Sequence, residues 1–170
     1  NSACPASCLV NPIYSSPVIL ELFTGKSTVL PTGRSEEGKF SGACFNGCGD
    51  LVYLGNSKGE ILIIDHHSNR TRAVVSTIGC PRIKNIVFSK NGMYLLTNSG
   101  DGTIRVYENM LPPKNGVKTL YELNETLNDN LVGIEKLKAI GRDSLFPTHE
   151  FYDAVSWKAS CFSPNGEWII

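Results

Sequence analysis

Apolar runs alternate with short glycine turns along this chain of 170 residues. Within 88–108, apolar runs at 94–96 and 104–107 each follow a turn, Asn91-Gly92 and Asp101-Gly102 respectively. Asn-Gly and Asp-Gly between apolar runs are strong hairpin signals, because these residues accept a positive φ. The stretch is therefore predicted to form three antiparallel strands joined by two tight turns.

The same pattern starts 43 residues upstream, at Phe45, and begins again at Phe162. Repeats of roughly 40–45 residues with four strands each are typical of WD-repeat propeller blades. The chain is therefore predicted to be all-β, a fragment of a WD-repeat β-propeller with about three to four blades, each a four-stranded antiparallel sheet. The glycines predicted to lie in structural turns are Gly49, Gly59, Gly92, Gly102 and Gly166.

The repeat divides a single domain into segments. After an irregular start at 1–15, two strands are expected at 18–22 and 27–30. The runs at 51–54 and 61–64 are apolar on both faces, which fits blades covered by neighbours on both sides. The expected segments are a partial blade at 1–32, complete blades at 39–80 and 83–155, and the start of a further blade at 156–170.

An insertion interrupts the second complete blade. The third copy of the repeat starts 74 residues after the second, where the earlier spacing is 43. The extra residues are assigned to 110–144, and Pro112-Pro113 ends the strand before them. Apolar residues at spacings of three and four predict a short helix at 129–140. We expect a surface excursion, after which 151–155 supplies the delayed fourth strand.

Charge is balanced over the chain as a whole but not along it. Sixteen basic and sixteen acidic residues cancel, so the net charge predicts no class of partner. Between 69 and 106, six basic residues stand against Asp101 alone: Arg70, Arg72, Arg82, Lys84, Lys90 and Arg105. Either these are unrelated solvated residues, or they form a basic rim that meets DNA phosphates. The candidate nucleosome contacts are Arg82, Lys84, Arg105 and Arg142. Arg105 lies inside a strand, where the matching residue is Leu62, and we expect it to be partly covered.

The six cysteines bear on the cellular compartment. Cys44 and Cys161 share one repeat position, which favours buried, reduced strand cysteines, since disulfides serve mainly small secreted scaffolds. We therefore expect an intracellular protein. No run reaches the roughly 18 apolar residues of a membrane helix, and no N-terminal signal is visible. Because the chain lacks an initial Met and ends within a strand pattern, we expect it to be a piece of a longer protein.

Few residues suggest catalysis or metal binding. His66-His67 has only Asp65 as a close ligand, which favours a solvated turn over a metal site. Cys4 with Cys8, and Cys44 with Cys48, each resemble half of a zinc site, but the second pair spans a strand and a turn. His149-Glu150 lacks the second histidine of a metalloprotease. No catalytic residue, cofactor site or metal site is predicted.

Residues between the blade turns point to one particular family among WD-repeat proteins. The segments 16–20, 53–62 and 104–107 resemble retinoblastoma-binding protein five, and 141–143 and 157–163 continue the resemblance. Members of that family are non-catalytic core subunits of COMPASS-type complexes, which methylate lysine four of histone H3. The resemblance implies a nuclear scaffold whose partners are other subunits of the methyltransferase complex and the nucleosome, with no membrane or small-molecule substrate.

Two other classes of function stay open. One is a generic WD-repeat interaction adaptor outside chromatin. The other is a propeller enzyme with a metal or carboxylate cluster in its central channel, which the scarcity of acidic and histidine clusters disfavours.

The ends of the blades depart from the standard WD repeat. Where that repeat has Trp-Asp, this chain has Ile64-Asp65 and Tyr107-Glu108.

Overall fold

The structure is a computed structural model that describes residues 7–12, 14–32, 39–47, 49–77, 79–109, 144–145, 147–153 and 157–170. Within these residues it contains strands but no helix. The described residues therefore include no helix that is long and apolar enough to cross a membrane. The strands are β1 (Ser7–Val10), β2 (Val18–Glu21), β3 (Ser27–Val29), β4 (Phe40–Phe45), β5 (Leu51–Asn56), β6 (Glu60–Asp65), β7 (Arg70–Thr77), β8 (Ile83–Phe88), β9 (Tyr94–Ser99), β10 (Thr103–Glu108), β11 (Ser144–Leu145) and β12 (His149–Tyr152).

The strands form three successive sheets, in which strands that follow one another in the chain lie side by side, apart from β11. The first sheet has the order β1-β2-β3, the second β11-β7-β6-β5-β4, and the third β12-β10-β9-β8. Every pair of strands is antiparallel except β11, which runs parallel to β7 with Ser144 opposite Ser76. The predicted all-β propeller fold is confirmed, with β11 as a short addition to the outer edge of the second sheet.

Two predicted elements need correction. The start of the chain is not irregular throughout, because β1 pairs with β2 from Ser7 opposite Glu21 to Val10 opposite Val18. The fourth strand of the third sheet lies at His149–Tyr152 and not at 151–155, since Thr148 already hydrogen-bonds β10 through Val106 O. The helix predicted at 129–140 lies outside the described residues.

Backbone hydrogen bonds recur at the positions that the repeat predicts. At each first turn, the amide of the opening residue donates to the carbonyl five residues later. These bonds are Asn46 N to Leu51 O (3.0 Å), Ser89 N to Tyr94 O (2.9 Å) and Ser163 N to Trp168 O (2.8 Å). The glycines of the predicted turns all have a positive φ, with 77° at Gly49, 76° at Gly59, 69° at Gly92, 80° at Gly102 and 76° at Gly166.

The second sheet is covered on both faces, as the apolar runs predicted. Alternate residues of β5 and β6 pack against the third sheet, and these are Leu51, Tyr53, Ile61 and Ile63. The residues between them pack against the first sheet, and these are Val52, Leu54, Leu62 and Ile64. Each strand thus contributes to two separate cores, so an apolar side chain at every position is stabilising.

The cysteines in the described part of the chain are free thiols. Cys44 is partly buried in β4, and burial raises the pKa of its thiol to about 12. Cys161 is exposed, which corrects the expectation that both cysteines at this repeat position are buried. The difference has a simple cause: Cys44 packs against the core between the second and third sheets, whereas no described sheet follows 161–170 to cover Cys161.

Candidate functional site

The strand directions separate the basic residues predicted to form one rim. Arg82 precedes β8 and lies at the end of the sheets that carries the β5–β6 and β9–β10 turns, which we call the first end. Arg70 begins β7 and Lys90 follows β8, so both lie at the second end. Because successive strands are antiparallel, these residues are about one strand length apart.

Arg82 is held at the first end by the β9–β10 turn. Its carbonyl accepts a hydrogen bond from Gly100 N at 2.8 Å. A Cβ built on Gly100 would lie 3.2 Å from Arg82 Cβ, so this glycine lets the turn approach the arginine closely. The residue is exposed. Backbone contacts therefore fix Arg82 while its residue remains open to solvent.

Lys84 lies two residues further on, at a β-bulge of the innermost strand. Pairing with β9 shifts register between Ile83 and Asn85, which leaves Lys84 as the extra residue. The same bulge occurs in β4, where Ser41 is the extra residue between Phe40 and Gly42. A bulge redirects the side chain that it carries. Lys84 is half-buried and adds positive charge near Arg82.

Arg105 occupies a different environment from the one expected of a phosphate contact. It is only 6% exposed and lies in β10 on the face towards the second sheet. Its Nη2 lies 2.7 Å from Asp101 Oδ2, and its Nε lies 2.6 Å from Glu150 Oε1. Nη1 also donates to Ser99 Oγ at 2.5 Å. The guanidinium is thus committed to groups within the protein, and Arg105 is unsuited to contacting DNA.

The ion pairs around Arg105 also set its electrostatics. Burial alone would lower the pKa of Arg105, but hydrogen bonds to Asp101 and Glu150 raise it above its ordinary value. Burial likewise acts to raise the pKa of Asp101, and the hydrogen bonds from Arg105 and Ser99 outweigh this effect and lower it. Arg105 and Asp101 are therefore charged at neutral pH. Together with Glu150 they connect the β9–β10 turn to the outer strand β12.

Sequence reasoning missed the partners of Arg105. Asp101 lies four residues before it in the sequence, and the β9–β10 turn, not a helix, brings the two side chains together. Glu150 lies beyond the insertion, and only the alignment of β12 with β10 places it opposite Arg105. No local pattern in the sequence indicates this contact.

The remaining basic residues lie either at the second end or outside the described residues. Arg72 lies 2.5 Å from Asp65 Oδ2 through its Nη2 and is a structural ion pair. Burial acts to raise the pKa of Asp65, but hydrogen bonds from Arg72 and Ser68 lower it. Arg70 and Lys90 are exposed. Arg142 lies outside the described residues, so its predicted contact stays a prediction.

The histidine pair closes a turn at the second end. His66 Nε2 lies 2.7 Å from Gly49 O, and its ring meets that of Phe45 edge-on, with centroids 5.8 Å apart. Burial, and next the neighbouring His67, lower the pKa of His66. Across the described residues, no three or more His, Cys, Asp or Glu side chains are grouped so that they could hold a metal ion.

The chain resembles curated proteins over most of its length, although no family model matches it. Protein RBL of Arabidopsis thaliana is 48% identical over 187 residues, which cover 98% of this chain and 34% of that protein. The retinoblastoma-binding protein 5 homolog of Drosophila melanogaster is 29% identical over 165 residues, which cover 95% of this chain and 29% of that protein. The chain thus spans about a third of the length of these relatives.

Solved structures show the same fold. The β-propeller domain of Cps50 (Swd1) from Myceliophteria thermophila matches with a TM-score of 0.70 at 20% identity, over 96% of this chain and 47% of that one. A chain of a mitotic checkpoint complex matches with a TM-score of 0.57 at 12% identity, over 90% of this chain and 36% of that one. At such identities the likeness concerns the fold alone. The chain is therefore a homologue of Protein RBL and of retinoblastoma-binding protein 5 homolog, and it forms part of a WD-repeat β-propeller.

Proposed function

We propose that this chain belongs to a non-catalytic scaffold subunit of a nuclear complex that methylates histone H3 on lysine. In this proposal the propeller docks onto other subunits of the methyltransferase complex and onto the nucleosome. The proposal rests on the 48% identity to Protein RBL and on the residues that resemble retinoblastoma-binding protein five. WD-repeat propellers of this kind generally bind proteins and carry no catalytic groups of their own.

The nucleosome contact is assigned to the first end of the sheets. The observation that carries it is the exposed Arg82, whose backbone is held by the β9–β10 turn. Lys84, in the strand β8 that begins directly after Arg82, contributes a second positive charge. Arg105 is excluded from this surface because Asp101 and Glu150 neutralise it. A pair of basic residues at the start of a strand suits contacts with phosphates, which attract positive charge without regard to DNA sequence.

A protein-interaction adaptor outside chromatin is the second candidate. The sixteen basic and sixteen acidic residues leave this candidate open, because the net charge predicts no class of partner. The two candidates differ in partners. Affinity purification of the full-length protein from cells, followed by identification of the co-purifying proteins, distinguishes them. Recovery of histone methyltransferase subunits supports the scaffold proposal, and their consistent absence contradicts it.

The DNA contact is tested in the full-length protein with Arg82→Glu and Lys84→Glu. We expect weaker binding to nucleosomes, and the slope of log affinity against log salt should decrease by about one for each phosphate that the variant no longer neutralises. The matched control is Arg70→Glu, which reverses an exposed charge at the second end. Assembly with the methyltransferase subunits should be unchanged in all three variants. If every variant binds with the same affinity and the same salt slope as the unmodified protein, the first end does not contact DNA.

A further inference from the structure

Gly55 lies where the second sheet and β8 approach each other closely. A Cβ built on this glycine would lie 2.4 Å from Ile83 Cγ2 and 2.9 Å from Ile86 Cδ1. Ile83 and Ile86 are both buried. These three residues form an apolar contact, which we call the Gly55 seam, and the missing side chain at Gly55 lets the sheets pack.

The repeat places a second seam one blade further on. Asn98 lies 43 residues after Gly55, and Trp157 and Ser160 lie 74 residues after Ile83 and Ile86. A contact between successive sheets supports the equivalence. Asn85 Nδ2 donates to Ser160 O at 3.2 Å. In the seam before, the matching residues are Gly42 and Ile86, and a Cβ built on Gly42 would lie 3.2 Å from Ile86 Cγ1. We call the set Asn98, Trp157 and Ser160 the polar seam.

Each residue of the polar seam carries a buried polar atom that lacks a hydrogen-bond partner within the described part of the chain. These atoms are Asn98 Nδ2 and Oδ1, Trp157 Nε1 and Ser160 Oγ. Asn98 is 0% exposed and Ser160 is 3% exposed. Buried polar groups in folded proteins are nearly always hydrogen-bonded, either to protein or to ordered water. These three residues therefore call for hydrogen-bond partners that the described residues do not supply.

We propose that the polar seam is a hydration site, in which ordered water molecules bridge Asn98, Trp157 and Ser160. The indole N–H can only donate and the amide oxygen can only accept, whereas the amide nitrogen donates and the hydroxyl does both. Water satisfies this mixed set because it donates two hydrogen bonds and accepts two. Buried waters typically have two to four polar partners, as offered here. The site is independent of the proposed function.

A crystal structure of the full-length protein, or of its complete propeller, tests the proposal directly. We expect a water oxygen within about 3.2 Å of Trp157 Nε1 and of at least one of Asn98 and Ser160. The Gly55 seam of the same crystal is the internal control, and no water is expected between Gly55, Ile83 and Ile86. A dry polar seam, with its polar atoms paired to protein or left unpaired, would overturn the proposal.

A double-mutant cycle tests it in solution with Asn98→Ala and Ser160→Ala in the same protein. If bridging water couples the two side chains, their effects on the unfolding equilibrium constant deviate from additivity by at least about twofold. Asn98→Ala combined with Ser68→Ala, at an exposed turn of the second end, should be additive. Additive effects for Asn98 and Ser160 would count against shared water.

Discussion

Arg105 in β10 places its Nε 2.6 Å from Oε1 of Glu150 in β12, although 45 positions separate them in the sequence. The contact joins the third strand of the third sheet to the strand that follows the insertion. At the same repeat position the second sheet has Leu62, which is buried among apolar side chains. The third sheet thus replaces an apolar contact with an ion-paired one, and it gains a specific attachment for its outer strand.

Replacing Arg105 by Leu, the residue found at position 62, should destabilise the protein. Removing one partner from a buried ion pair costs roughly 3–5 kcal/mol. We expect about 1–3 kcal/mol here, because Asp101 and Glu150 are partly solvated. The measurement is chemical denaturation of the complete protein. Glu150→Gln is the control, since it keeps a hydrogen-bond acceptor and should cost less. A variant with Leu at 105 that matches the unmodified protein would contradict this account.

Gly59 should tolerate a side chain less well than another glycine of positive φ. A Cβ there would lie 1.7 Å from Cys80 O, and φ is +76°. At Gly25, where φ is +68°, an added Cβ would have no neighbouring atom within 4 Å. We expect Gly25→Ala to cost about 1–2 kcal/mol from backbone strain alone, and Gly59→Ala to cost about 2–5 kcal/mol. Equal losses in thermal or denaturant unfolding would show that the close approach to Cys80 is relieved at little cost.

His66 should make stability depend on pH below its ordinary pKa of 6.5. Burial, followed by the charge of His67, lowers the pKa of His66 in the folded state. The unfolded chain therefore binds the proton more readily, so the stabilisation is complete above pH 6.5 and is lost as pH falls towards the lower folded value. His66→Asn should flatten this part of the pH profile of unfolding free energy. An identical slope in both proteins would contradict the assignment.

The 170-residue chain on its own should self-associate. Trp168 and Ile170 are 69% and 72% exposed, and Val29 and Phe151 are also exposed at the outer parts of the sheets. Uncovered apolar faces and strand edges favour association between copies. Sedimentation over a range of concentrations is the measurement, and we expect species larger than the monomer. A monomer that melts in one sharp transition would contradict this expectation.

Periodicity alone was sufficient to predict the fold. The turn glycines and the offset of 43 residues located β5, β6, β9 and β10, because these strands depend on local turn chemistry and on apolar runs of strand length. The strand β1 escaped prediction since a connection of seven residues, 11–17, separates it from β2 and carries no tight-turn signal. Its pairing became evident only from the hydrogen bonds between the two strands.

The sequence by itself determined the repeat, the turns and the apolar strands, since each is encoded within a few neighbouring residues. Only the tertiary structure decided which charges remain exposed. The repeat matches Arg105 with Leu62 and so indicates that Arg105 is partly covered, whereas Arg82 lies in a connection. Only the structure shows that β12 returns from beyond the insertion and places Glu150 against Arg105, while Arg82 keeps its exposure. The ion pairing of this side chain depends on a strand distant in sequence, and local patterns carry no information about how that strand approaches.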